Sequence, residues 1–370
     1  MIYLDHAATS PLRPEAIEAM KEALPVYGNP SSAHEIGMRA GRLLESCRET
    51  IAVLMDLEPE EILFTSGGTE ADATALQSVL PTGKAEIVTT PIEHHAVLRT
   101  CEQLAHRGIR TTFLPVGSDG LVKVSDVPFS AKTGLVSVMA ANNELGTVQP
   151  IGTIAAECHR RGVLFHTDAV SAVGQIPIRF HALGADYLSL SAHKFGGPKG
   201  IGALFCKKDA PLAPLLFGGG QERGRRAGTE SPLLVAGMTA ALQAAVRHME
   251  KETARKADLK KLLAKGLRNL GAVVLCDGSD QLAGHLSVCF PGHDAQAILH
   301  ALDLFGICVS AGAACNAASD EPSHVLTAIG LSAGQAASCL RFSLGAENTE
   351  EEIREVLSRL QMILESKTKR

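Results

Sequence analysis

The chain has 370 residues, 45% of them hydrophobic and 20% charged, a globular balance long enough for two or three domains of about 150 residues each. With 35 Lys and Arg against 40 Asp and Glu the formal charge is −5, which offers no broad attraction for nucleic acid or an anionic membrane. No apolar run reaches the roughly 18 residues a membrane helix needs, and the opening MIYLDHAATS has neither the basic nor the apolar region of a secretion signal, so the expected compartment is the cytoplasm.

In chain order, β-rich runs at 61–65, 86–90, 110–114, 135–141, 163–167, 187–190 and 201–206 alternate with amphipathic stretches. That rhythm predicts an α/β fold built on a large, mainly parallel, seven-stranded sheet. Residues 233–270 carry Ala, Leu, Lys and Glu at helical spacing with few breakers, too long for an ordinary helix, and read as a bridge between domains. Beyond it, β candidates at 272–275, 285–290, 306–310 and 338–344 mix with helical stretches at 294–303, 321–329 and 349–365, which predicts a smaller α+β domain. The expected division is 14–250 for the large domain and 1–13 plus 251–370 for the small one. Nine cysteines, an odd number with no C-x-x-C pair, argue against a disulfide framework and a zinc knuckle, and no metal site is expected.

In an open parallel sheet, ligands bind beyond the carboxyl ends of the strands, and residues able to do chemistry follow each run. After 61–65 comes Ser66-Gly67-Gly68-Thr69-Glu70, which reads either as a plain Thr-capped turn or as a nest for a small phosphate; it lacks the Gly-Lys-Ser/Thr ending of a nucleotide loop. After 86–90 come Glu93, His94 and His95, which cannot close around one ion because adjacent helical side chains diverge. They read as a solvated helix start or as one imidazole used for stacking or proton transfer. Asn142-Asn143-Glu144 and Asp168 follow the next two runs, and a buried Asp168 needs a cation or a protonated ring nitrogen unless it is a helix cap. Lys194, in Ser191-Ala192-His193-Lys194, precedes a Gly-rich loop near the ligand crevice. A phosphate nest, an acid, a lysine and a histidine at the ends of different strands match what pyridoxal 5′-phosphate requires: a Schiff-base lysine, an acid on the pyridine nitrogen and a phosphate holder.

These residues, with Tyr3 to Thr9, Gly28 to Ser32, Asn142 to Gly146, Arg223 to Thr229 and Arg341-Phe342-Ser343, resemble the cysteine desulfurases of the class V aminotransferase group, fold type I of the pyridoxal-phosphate enzymes, over nearly the whole chain. The resemblance implies Lys194 as the cofactor lysine, Asp168 on the ring nitrogen and His94 stacked on the ring. It implies Gly68, Thr69, Ser191 and His193 around the phosphate, joined by Thr229 from a second subunit of a homodimer. Asn143 and Arg341 would hold the substrate carboxylate, a task suited to the planar fork of arginine. The stretch Ser310 to Ser319 resembles the mobile active-site loop of the subgroup that serves iron–sulfur cluster assembly and tRNA thiolation, which makes Cys315 the sulfur acceptor. The implied reaction converts L-cysteine to L-alanine and leaves a persulfide on Cys315, for delivery to sulfur-acceptor proteins. A selenocysteine or cysteine-sulfinate lyase, or an aminotransferase, is the alternative within the same superfamily. The family pattern has Gln three residues after the Asp; this chain has Ser171 there, so no residue is assigned to the ring hydroxyl.

Overall fold

The computed structural model describes residues 1–312 and 322–367. In the first part of the chain, β1 (Ile2–Tyr3), α1 (Pro14–Ala23) and α2 (Glu35–Met55) lead into alternating elements: β2 (Ile62–Thr65), α3 (Gly68–Gln77), β3 (Glu86–Thr89), α4 (His95–Ala105), β4 (Arg110–Phe113), β5 (Thr133–Ser137), α5 (Ile151–Arg160), β6 (Leu164–Asp168), α6 (Phe180–Leu183), β7 (Tyr187–Ser191) and β8 (Gly202–Cys206). The remainder holds α7 (Pro232–Asn269), β9 (Val273–Val274), β10 (His285–Cys289), α8 (Ala295–Leu304), β11 (Ile307–Cys308), α9 (His324–Ala328), α10 (Ala333–Ala336), β12 (Cys339–Ser343) and α11 (Glu350–Lys367).

Strands β2 to β8 form one seven-stranded sheet in the order β2-β8-β7-β6-β5-β3-β4. Only β8 runs against its neighbours, pairing antiparallel with β2 and β7, and the other pairs are parallel. This is the α/β, mainly parallel architecture that the alternation predicts. Period-2 alternation sorts the strand residues to two faces. Leu63, Ile87, Leu135, Tyr187 and Leu204 pack under α3 and α4, whereas Phe64, Val88, Val136, Phe165, Leu188 and Phe205 pack under α2, α5 and the first half of α7. Both faces are covered, which is why the runs read as continuously apolar.

Helix α7 is one unbroken helix of 38 residues, and it does span two cores. Val235, Met238, Ala241 and Ala245 belong to the core of the large sheet, while Leu259, Leu263 and Leu267 pack with Leu286, Val288, Leu340, Phe342 and α11. Its interior glycines serve close approach: a Cβ on Gly237 would lie 2.7 Å from Met20, and one on Gly266 would lie 2.3 Å from Leu357. The second core covers a three-stranded antiparallel sheet, β12-β10-β9. Strand β1 pairs with β11, so the N-terminus is bound there. No described helix is long and apolar enough to cross a membrane.

Two expectations are adjusted. The run 135–141 leaves the regular sheet after Ser137, although Val138 and Ala140 still donate to the carbonyls of His166 and Asp168. The reading of the cysteines as no disulfide framework is qualified at one pair: Cys289 and Cys339 face each other across β10 and β12 and are bonded. Antiparallel register brings together two residues 50 apart in sequence, a pairing that cysteine spacing does not encode. Cys315 lies outside the described residues.

Candidate active site

The parallel strands bring their carboxyl ends to one edge of the sheet, and a cavity of about 270 Å³ opens there. Gly68, Thr69, His94, Asn143, Asp168, Ser191, His193, Lys194 and Arg341 all line it. Segments read separately along the sequence therefore meet at one place. Thr229 is exposed and is not part of this wall.

The floor comes from β6, β7 and the start of α3. Asp168 ends β6, is 4% exposed, and accepts from Val170 N at 2.8 Å. It therefore has the cap-like contact of the plain reading as well as a place in the cavity. Burial, and then the neighbouring Asp72, push its carboxyl up to about 7; a cation beside it would restore the ionised form. The loop before α3 is shaped by glycine. Gly67 has φ 157° and ψ −174°, a region open only to residues without a side chain. A Cβ on Gly202 of β8 would sit 2.8 Å from the Gly67 Cα and 2.5 Å from the Leu190 carbonyl oxygen. Among the described residues no side chain caps α3, which leaves first-turn N–H groups for an anion. Glu70 ties the loop down: it accepts from Ser66 N at 2.8 Å and takes the Arg226 guanidinium at 2.8 and 3.1 Å. Burial alone would raise this carboxyl, but Arg226 and Ser66 hold it below the usual range.

After β7 the chain makes one tight turn over Ala192–Lys194, and residues 7–10 cross over it. Lys194 Nζ donates to the carbonyl of Ala7 at 2.6 Å and of Ala8 at 3.1 Å, and His193 Nδ1 lies 3.1 Å from Thr9 Oγ1. Burial, then the Lys194 charge, lower His193 to about 4 and do the same to His94. His94 is also the N-cap of α4, its Nδ1 accepting from Ala96 N at 3.1 Å. A neutral ring with an accepting Nδ1 carries its proton on Nε2. The neighbours of His94 diverge as expected: Glu93 turns into the core, bonding Thr90 Oγ1 and Met139 N, and the His95 ring packs on His324.

The mouth is built from distant segments. Arg341, on β12 and 2% exposed, donates to the Asn143 carbonyl at 3.0 Å and to Asp5 Oδ1 at 2.7 Å. Its Nε is buried without a hydrogen-bond partner among the described residues, a donor that an incoming carboxylate would satisfy. Asn142 shapes the turn by accepting from Glu144 N and Leu145 N at 2.9 and 2.8 Å. Ser171 also lines the cavity, as do Ala7, Ala8 and Met139. Sequence reasoning missed Asp72 on α3, although its place four residues after Gly68 puts it on the same helical face.

The donor set fits pyridoxal 5′-phosphate: a helix start without a side-chain cap for the phosphate, a buried acid for the ring nitrogen, and a lysine in the same cavity. A class-V aminotransferase family model matches residues 2–356. Cysteine desulfurase IscS of Dictyoglomus turgidum is 41% identical, covering 98% of this chain and 94% of that protein. An IscS-like cysteine desulfurase of Mycobacterium tuberculosis is also 41% identical, over 95% of this chain and 93% of its own length. The solved structure of a NifS-like protein superposes with a TM-score of 0.93 at 38% identity, covering 99% of both chains. With its fold, its cavity and its full-length similarity in agreement, the chain belongs to the class-V aminotransferase family of pyridoxal-phosphate enzymes.

Proposed function

We propose that this protein is a cysteine desulfurase that converts L-cysteine to L-alanine and passes the sulfur to Cys315 as a persulfide. The observation that carries the reading is the convergence, in one cavity, of Lys194, Asp168, His94 and an unclaimed helix start with the unpartnered Nε of Arg341. Bound pyridoxal phosphate supplies an electron sink for the charge left at Cα of the substrate. The chain does the rest. Gly68, Thr69, Ser191 and His193 would hold the phosphate, and Asp168 would keep the proton on the ring nitrogen. Arg341 and Asn143 fix the substrate carboxylate, which aims its Cα–H at Lys194 Nζ, the base that takes this proton. His94 would stack on the ring and move a proton at the thiol. The Cys315 thiolate attacks the substrate sulfur; the S–S bond forms as the C–S bond breaks, and the carbon fragment takes up protons to leave as alanine.

The working form is a homodimer in which Thr229 reaches the phosphate of the other copy. Its exposure supports this reading, as do Tyr27 and Phe217, which are 79% and 86% exposed. The domain division is 14–250 and 1–13 plus 251–370, supported by the two cores that α7 joins. Sulfur then goes to acceptor proteins for iron–sulfur cluster assembly or tRNA thiolation in the cytoplasm. The test is to supply L-cysteine without reductant and map added sulfur by mass. A gain of one sulfur on the Cys315 peptide, absent in Cys315→Ala, is the expected result. Full alanine and sulfide production by Cys315→Ala contradicts it.

A further inference from the structure

Asp72 lines the cavity but has no part in the chemistry above. It lies on α3 and is 1% exposed, and its Oδ1 has no hydrogen-bond partner among the described residues. His166 Nε2 is 3.5 Å from that oxygen. The imidazole is held across three strands, its Nδ1 2.8 Å from Ser137 Oγ and its Nε2 3.0 Å from Ser189 Oγ. His166 and Asp168 are two residues apart on β6 and so share a face of the sheet. The titratable groups around Asp72 are His166 and Asp168 on β6, Glu93 ahead of α4 and Lys194 after β7.

Two carboxylates buried in one floor do not both ionise without a large cost. With Asp168 charged opposite a cationic ring nitrogen, Asp72 either keeps its proton beside a neutral His166 or passes it to that imidazole. In both cases the pair holds one proton and is neutral. We propose that Asp72 is a positioning residue of the cofactor site: with His166 it stores one proton in the floor that rising pH withdraws, so that the negative charge beside the ring nitrogen resides on Asp168 alone until the pair titrates and on both carboxylates after it. This rests on the assignment of Asp168 above. Burial pushes Asp72 up to about 7, against the pull of the Ser189 hydroxyl, and holds His166 near 4; both directions favour the neutral pair.

When rising pH withdraws that proton, a second negative charge appears in the floor and retains positive charge on the bound cofactor to higher pH. Without the Asp72 carboxyl this support is lost. The test is to titrate the visible absorption of the holoenzyme against pH in wild type and Asp72→Asn. We expect the midpoint in Asp72→Asn to fall by about half a pH unit or more, with cofactor content and melting temperature close to wild type. A midpoint equal to wild type overturns the inference. Should Asp72→Asn fail to fold, Asp72→Ser reads the same midpoint. Asp168→Asn is the control: an unchanged spectrum there removes the assignment of Asp168 and the inference with it. A changed spectrum there with no shift in Asp72→Asn overturns the inference alone.

Discussion

The floor and the mouth of the cavity are built in opposite ways. The floor is local: Asp168, Ser191, His193 and Lys194 come from the ends of two adjacent parallel strands, with α3 leaning over them. The mouth is assembled from afar. Arg341 bonds Asp5, 336 residues away, and the Asn143 carbonyl, 198 residues away. A floor made by one sheet is rigid once the sheet forms. A mouth made by strands of different sheets depends on how the second core seats against the first. The difference teaches that cofactor retention and substrate affinity should fail separately.

The sharpest break is at the floor. Lys194→Ala removes the amine proposed to transfer the proton, and turnover should drop by at least roughly 10²–10⁴-fold, measured as alanine formed from L-cysteine; residual turnover near wild type would contradict the assignment. At the mouth, Arg341→Ala deletes charge-assisted hydrogen bonds of about 1.5–3 kcal/mol, so KM should rise roughly 10- to 100-fold. The cofactor absorption should stay unchanged, since the floor is intact. An unchanged KM would take Arg341 out of the site. Gly202→Ala returns the test to the floor without changing a polar side chain. Its Cβ would meet the backbone of Leu190 and Gly67 at 2.5 and 2.8 Å, and overpacking of this kind costs about 1–3 kcal/mol. Lower denaturant resistance together with weaker cofactor retention is expected.

The smallest effect is one of pH. The unfolded chain protonates His94 near 6.5, whereas burial, then Lys194, hold the folded value near 4. The unfolded state therefore binds the proton first as pH falls through that window, and stability is lost there. His94→Gln removes this contribution. The fall in melting temperature from pH 7 to 5 should shrink by about 2 °C; an unaltered fall would show that the ring is not held neutral.

The same contrast explains what was legible in the sequence. The floor could be read because each of its residues follows an apolar run, and parallel strands send their carboxyl ends to one edge. The runs at 61–65 and 201–206 match β2 and β8 within a residue, yet β8 runs antiparallel, a direction that hydrophobic pattern does not carry. Residue pattern alone left Arg341 and Asn143 unassigned, and only the family resemblance gave them roles, because long-range pairing such as Asp5 with Arg341 leaves no local periodicity. Asp72 went unseen for a third reason. A charged residue inside an ordinary helix reads as solvated surface, and only the sheet beneath α3 makes it a buried carboxyl. His94 and Asp168 show that cap and site readings need not exclude each other, since both side chains cap local backbone while facing the cavity.

The central claim is that this floor holds pyridoxal phosphate on Lys194. Its most direct test is to reduce the cofactor-loaded protein with borohydride, digest it and locate the pyridoxyl mass. The account predicts that mass on the Lys194 peptide, and its loss in Lys194→Ala. A pyridoxyl group on another lysine, or none in fully loaded protein, would contradict it.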